Sequence, residues 1–135
     1  MPKQNIIFCT GVSTVTGANF ILDTGKSRIL IDCGMIQGER VAQQANYEPF
    51  TYDISTIDAL IITHAHLDHV GRIPKLVKEG YQGPIYSTPE TRELADVVLH
   101  DAAGIIAMEA QQNGMDPMYE LSDVQTVFSQ WKTIP

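Results

Sequence analysis

The chain has 135 residues, 44% of them hydrophobic and 19% charged, and this balance excludes a disordered or fibrous protein while allowing one packed core and little room for a second domain. A net charge of −7 argues against a generic nucleic-acid-binding surface, although carboxylates that serve a metal would count towards the same acidity. The longest apolar runs, such as Ala59 to Ile62, are too short to cross a bilayer, and the Met1-Pro2-Lys3-Gln4-Asn5 start lacks the apolar core of a signal peptide, so a cytoplasmic protein with no membrane association is expected.

Asn5 to Thr10 reads as a buried strand. Thr16-Gly17-Ala18-Asn19 lacks the spaced glycines and the lysine of a phosphate loop and reads as a turn. Two β-rich runs, Ala18 to Asp23 and Ser27 to Asp32, flank the turn signal Thr24-Gly25-Lys26 and predict a hairpin. Cys9 and Cys33 each lie in an apolar stretch, and free buried thiols are expected in preference to a disulfide. Gly34 to Phe50 is polar and broken by Gly38 and Pro49, which predicts a long loop with at most a short helix. Ile57 to Thr63 is an apolar run that ends on a cluster of histidines, placing that cluster at the carboxyl end of a strand. Arg72 to Glu79 predicts a short helix stopped by Gly80, and Pro84 to Ser87 a strand, which together make a parallel crossover unit.

Thr88 as N-cap and Pro89 at the first helical position open a long helix closed by Gly114. Leu94, Val97, Val98, Ile105 and Met108 trace one apolar stripe along it. A last helix begins near Leu121, with Ser122 and Gln125 as a capping box ahead of Val124, Val127, Phe128 and Trp131. No terminal element is expected over Thr133-Ile134-Pro135. The class is mixed α/β.

His64-Ala65-His66-Leu67-Asp68-His69 packs four metal-ligand side chains into six residues. Imidazole nitrogens and carboxylate oxygens are the donors that hold zinc in hydrolytic sites, where a coordination position stays open for water. In a tight turn His64 and His66 can face one cation while Asp68 and His69 face a neighbour, and two such cations suit hydrolytic displacement. Solvent-facing histidines without ligand duty are the plain alternative, and it fits a lone histidine better than this cluster. Asp32, at the end of Leu30-Ile31-Asp32, reads equally as a strand-end carboxylate of no special role or as the group that orients a histidine by a hydrogen bond. His100, inside the long helix and remote from the cluster, reads as a surface or packing residue.

This pattern resembles the metallo-β-lactamase superfamily, whose signature of histidine, any residue, histidine, any residue, aspartate, histidine is met in full by His64 to His69. Gly11 to Phe20, Leu30 to Gly38, Gly71 to Gly80 and Gly83 to Thr91 look like the amino-terminal half of the β-CASP nucleases, close to relatives of the endonuclease subunit of the eukaryotic polyadenylation machinery. The resemblance implies an α/β fold that is the amino-terminal half of an αββα sandwich, with residues 1–135 a partial metallo-β-lactamase domain truncated before the β-CASP lobe. By similarity, Asp32 is a carboxylate that steadies the metal-binding turn, His64 and His66 serve the first zinc, and Asp68 and His69 serve the second. Asp68 is also the candidate catalytic residue. The family's remaining ligands lie beyond residue 135, so a fragment is expected whose half-built site binds zinc weakly and catalyses little.

For the complete protein the resemblance implies two zinc ions, RNA as substrate and phosphodiester hydrolysis in RNA processing or decay. Two rivals remain open: a metallo-hydrolase of a small ester, thioester or lactam, and a non-catalytic scaffold subunit that keeps the fold. The intact ligand motif counts against the scaffold. Endonuclease or exonuclease preference and oligomeric state, a dimer included, stay open.

Overall fold

The computed structural model describes residues 3–11, 16–38 and 44–135. Val12 to Val15, within the first stretch that carries the resemblance, and residues 39–43 of the expected loop lie outside the described residues. Six strands form one sheet in sequence order: β1 Asn5–Thr10, β2 Asn19–Asp23, β3 Arg28–Ile31, β4 Ala59–Ile61, β5 Ile85–Ser87 and β6 Trp131–Thr133. The β1, β2 and β3 pairings are antiparallel, whereas β4, β5 and β6 are added in parallel. Parallel addition requires crossovers, which helices supply from β4 to β5 and from β5 to β6, whereas β3 leads to β4 through the loop segment that holds the 3₁₀ turns Ala45–Tyr47 and Ile54–Thr56. The helices are α1 Leu67–Val70, α2 Ile73–Lys78, α3 Pro89–Asn113 and α4 Leu121–Gln130.

The pairing register sorts the strand side chains onto two faces. Ile21, Leu30, Leu60, Ile85 and Trp131 lie opposite one another across β2 to β6 and share one core with Val70, Ile73, Leu76, Leu99, Val124 and Val127 from the helices. The other face carries Ile6, Phe8, Phe20, Leu22, Ile29, Ile31, Ile61 and Tyr86 in matching register, and among the described residues no helix covers it. A sheet apolar on both faces is built to be covered on both. One helical layer on one sheet is the mixed α/β architecture expected.

The predicted hairpin, loop, crossover and helices are present. The Thr24–Ser27 turn is tied by the Thr24 amide donating to the Ser27 carbonyl and by the Gly25 amide donating to Asp23 Oδ1. In the loop, Ala45–Tyr47 forms one 3₁₀ turn. Asn46 fastens it, its amide group donating to the Ile36 carbonyl and its Oδ1 accepting from the Ile36 amide. Buried Lys75 donates to the Glu48 carbonyl and to Glu79, and its ammonium sits 4.4 Å from the centre of the Phe50 ring. Thr88 caps α3 by accepting from the Thr91 amide, and Gly114 ends it with a left-handed φ of 61°. No helix among the described residues is long and apolar enough to cross a membrane. Cys33 is fully buried, Cys9 half-buried, and both are free.

Four expectations are corrected. β1 is an edge strand, with Ile6 60% and Phe8 62% exposed, because it is paired on one side only. The Leu94, Val97, Ile105 and Met108 stripe faces outward, Leu94 being 61% and Val97 70% exposed, with Val98 half-buried at its margin. The packed face of α3 is instead Ala95, Leu99, Ala102, Ala103, Ile106 and Ala110, whose small side chains let the helix lie close on the core. The capping box of α4 is Glu120 with Asp123, not Ser122 with Gln125, since Glu120 holds the extended backbone and its amide donates to the Asp123 carboxylate. Finally, Trp131–Thr133 is a strand: Trp131 leaves the helix, inserts its ring into the core and donates from Nε1 to Ser87 Oγ at 2.8 Å.

Candidate metal centre

β4 ends at Ile61, and the backbone continues through Ile62 into the turn that carries His64, His66, Asp68 and His69, with the last two inside the single-turn helix α1. His66 takes the N-cap position of α1, and the Asp68 carboxylate lies in the first turn, where the helix dipole favours negative charge. The three imidazoles are drawn together. The His64 ring centre lies 3.9 Å from that of His69 and 4.8 Å from that of His66, and His69 Nε2 is 3.5 Å from Asp68 Oδ2.

A second segment grips this turn from the side. After β3, residues 32–35 run alongside α1 and exchange backbone hydrogen bonds with it. The Cys33 amide donates to the His69 carbonyl at 2.9 Å, the Met35 amide to the Leu67 carbonyl at 3.0 Å, and the Arg72 amide to the Cys33 carbonyl at 2.9 Å. The Ala18 amide reaches the Asp68 carbonyl at 2.9 Å. The approach is so close that a Cβ on Gly34 would stand 1.6 Å from the Asp68 carbonyl oxygen, so glycine is required there by space. Arg72, buried beneath, donates from Nε to the Gly34 carbonyl at 2.6 Å.

Asp32 is the pivot. It is buried and, among the described residues, the only non-glycine with positive φ, at 58°. Aspartate tolerates that left-handed backbone better than most residues, and here the bend turns its carboxylate towards the histidines. Oδ1 accepts from the Thr63 amide at 2.8 Å, while Oδ2 accepts from the Thr63 hydroxyl and from His69 Nδ1, each at 2.7 Å. Asp32 is thereby in direct hydrogen-bond contact with His69 and with Thr63, the residue before His64. Thr63 and Gly34 had not been singled out for this site. Their signals were a hydroxyl directly before the first histidine and a glycine two residues after the strand-end aspartate.

His100 stays apart, exposed on α3 with Nδ1 2.8 Å from Asp96 Oδ1 and its ring stacked on Phe128, as expected of a surface residue. A groove of about 470 Å³ opens beside the turn and is lined by His66 and Asp68 on one side and by Val98, Asp101 and Ile105 of α3 on the other.

The donor chemistry fits zinc: three imidazoles and a carboxylate, with His69 presenting Nε2 because Nδ1 is occupied. Among the described residues no group of three or more histidine, cysteine, aspartate or glutamate side chains closes into a finished cation site.

A sequence profile described as the metallo-beta-lactamase superfamily matches residues 14–123. Ribonuclease TTHA0252 of Thermus thermophilus is 50% identical over 92 residues, covering 68% of this chain and 21% of its own length. Transcription termination factor FttA of Methanosarcina mazei is 42% identical over 107 residues, covering 76% of this chain and 16% of its own. The factor of the same name from Cenarchaeum symbiosum is 34% identical over 129 residues, covering 93% of this chain and 19% of its own. The chain thus spans about a fifth of the length of these curated relatives.

Proposed function

This chain belongs to the metallo-beta-lactamase superfamily, and from that premise we propose that the whole protein is a zinc-dependent ribonuclease whose catalytic domain includes residues 1–135. The observation that carries the reading is the turn at the end of β4, where His64, His66, Asp68 and His69 stand together and His69 is tied through Nδ1 to the buried Asp32. RNA is favoured over a small ester, thioester or lactam because the relatives bear the names of a ribonuclease and of transcription termination factors, both concerned with transcripts.

Zinc, when bound, supplies Lewis acidity towards phosphate oxygens and lowers the pKa of water. This chain's own residues then have defined duties. His64 and His66 would hold one ion and Asp68 and His69 the other, two in the complete site, and Asp68 would act on the reacting water. Asp32 keeps His69 in one orientation, and the strap of residues 32–35 keeps the turn from opening. The donors in this chain are a partial set, so weak binding and little catalysis are expected of it alone. The acidic balance, with Arg72 and Lys75 buried and committed to the loop, leaves a cationic track for RNA phosphates that is either local or on residues outside this chain.

Isothermal titration of zinc into the purified chain, beside His66→Ala, tests the metal centre. Weak or substoichiometric binding that disappears in the variant is expected, whereas no binding by the wild type would overturn the reading. Incubating the zinc-loaded whole protein with end-labelled RNA and with a chromogenic lactam tests the substrate. Metal-dependent cleavage of RNA is expected, and turnover of the lactam with intact RNA would sink the ribonuclease.

A further inference from the structure

We infer that Thr63 is a positioning residue that fixes the tautomer of His64, so that the single carboxylate of Asp32 orders two of the four candidate donors, His69 directly and His64 through a hydroxyl. The inference deepens the metal-centre reading and rests on it.

The argument is a count of protons. An ionised carboxylate only accepts hydrogen bonds, and Asp32 has three donors aimed at it: the Thr63 amide, the Thr63 hydroxyl and His69 Nδ1. A threonine hydroxyl carries one proton. At 2.7 Å from Asp32 Oδ2 that proton is committed to the carboxylate, because two bare oxygens at this distance would repel. Thr63 Oγ1 also lies 3.0 Å from His64 Nδ1. With its proton spent, the oxygen can only accept there, so His64 Nδ1 must be the donor. A neutral imidazole with its proton on Nδ1 has its lone pair on Nε2. His69, donating from Nδ1 to Asp32, is left in the same state.

Both rings thereby offer Nε2, and neither must change tautomer to bind a cation. If Thr63 instead donated its hydrogen bond to His64 Nδ1, the neutral ring would carry its single proton on Nε2 and present a donor where a ligand is needed. Asp32, held in a left-handed conformation at the end of β3, thus acts on the first histidine of the motif without touching it.

Long-range proton–nitrogen spectra of the nitrogen-15-labelled, metal-free chain read this tautomer directly. The wild type and Thr63→Ser should show His64 and His69 protonated on Nδ1. Thr63→Val should move His64 towards the Nε2-protonated form while leaving His69 unchanged. Zinc affinity should fall about tenfold or more in Thr63→Val and be kept in Thr63→Ser. A wild-type His64 protonated on Nε2 overturns the inference, and this holds even if Thr63→Val fails to fold. So does an unchanged His64 signature in a folded Thr63→Val. A wild-type chain that binds no zinc yet shows Nδ1-protonated His64 overturns the metal reading and supports the hydrogen-bond relay.

Discussion

Replacing Asp32 by alanine should do two kinds of damage at once. The left-handed φ of 58° would fall on a residue that disfavours it, at about 1 kcal/mol, and the Thr63 and His69 donors would lose a charged acceptor, at about 2 kcal/mol more. Urea unfolding should show a loss of about 3 kcal/mol for Asp32→Ala and about half of that for Asp32→Asn, which keeps the shape and the backbone tolerance. Equal losses would mean that the charge of Asp32 contributes nothing. Cys33 makes a separate prediction. Full burial pushes its thiol from 9.0 up to about 12, so the unfolded chain loses a proton where the folded chain keeps it. Stability should therefore fall as pH rises from about 9 towards 12, and Cys33→Ala should flatten that slope in urea titrations. The His64–His69 cluster was legible in the sequence because ligand chemistry and spacing are local. The Asp32 pivot was half legible, since its partners are 31 and 37 residues away and only pairing of β3 with β4 brings them into reach.

The two faces of α3 separate what the helix does for the core from what it shows to solvent. Leu99→Ala should cost about 2–5 kcal/mol, because Leu99 is fully buried. Val97→Gln, on the outward stripe, should stay within about 0.5 kcal/mol. A large loss for Val97→Gln in thermal melts would mean that the outward stripe is packed. The helix was legible from Thr88, Pro89 and Gly114. Its orientation was not, because alanines carry too little hydrophobic weight to outvote leucine, valine and methionine in a periodicity argument, yet small size is what close packing wants. The strap shows the same limit. Gly34→Ala should destabilise the chain by more than 2 kcal/mol or displace α1, since the clash is with the Asp68 carbonyl and not with a side chain that could swing away. Calorimetry and His69 chemical shifts together distinguish the two.

At the scale of the whole molecule, the apolar sheet face from Ile6 and Phe8 across to Ile61 and Tyr86 has no helix over it among the described residues. The chain studied alone should bind a hydrophobic dye and associate as its concentration rises, and Phe8→Lys should weaken both effects without unfolding it, because Phe8 is exposed on an edge strand. A dye-silent, monodisperse wild type would show that this face is not sticky. Strand existence was legible here, but burial was not. Whether Asn5–Thr10 is central or at the edge, and whether Trp131 ends a helix or starts β6, are decided by partners far away in the chain and not by the residues themselves.

The strap of residues 32–35 also sets an order of events in time. The carboxylate that orders His69 reaches it from 37 residues away, and only after β4 has aligned in parallel beside β3. Parallel, non-local pairing is among the slower steps by which a chain acquires its topology. A newly made polypeptide would therefore carry loosely tethered imidazoles first and an ordered set only late, so that capture of a cation reports on folding already achieved and does little to seed it.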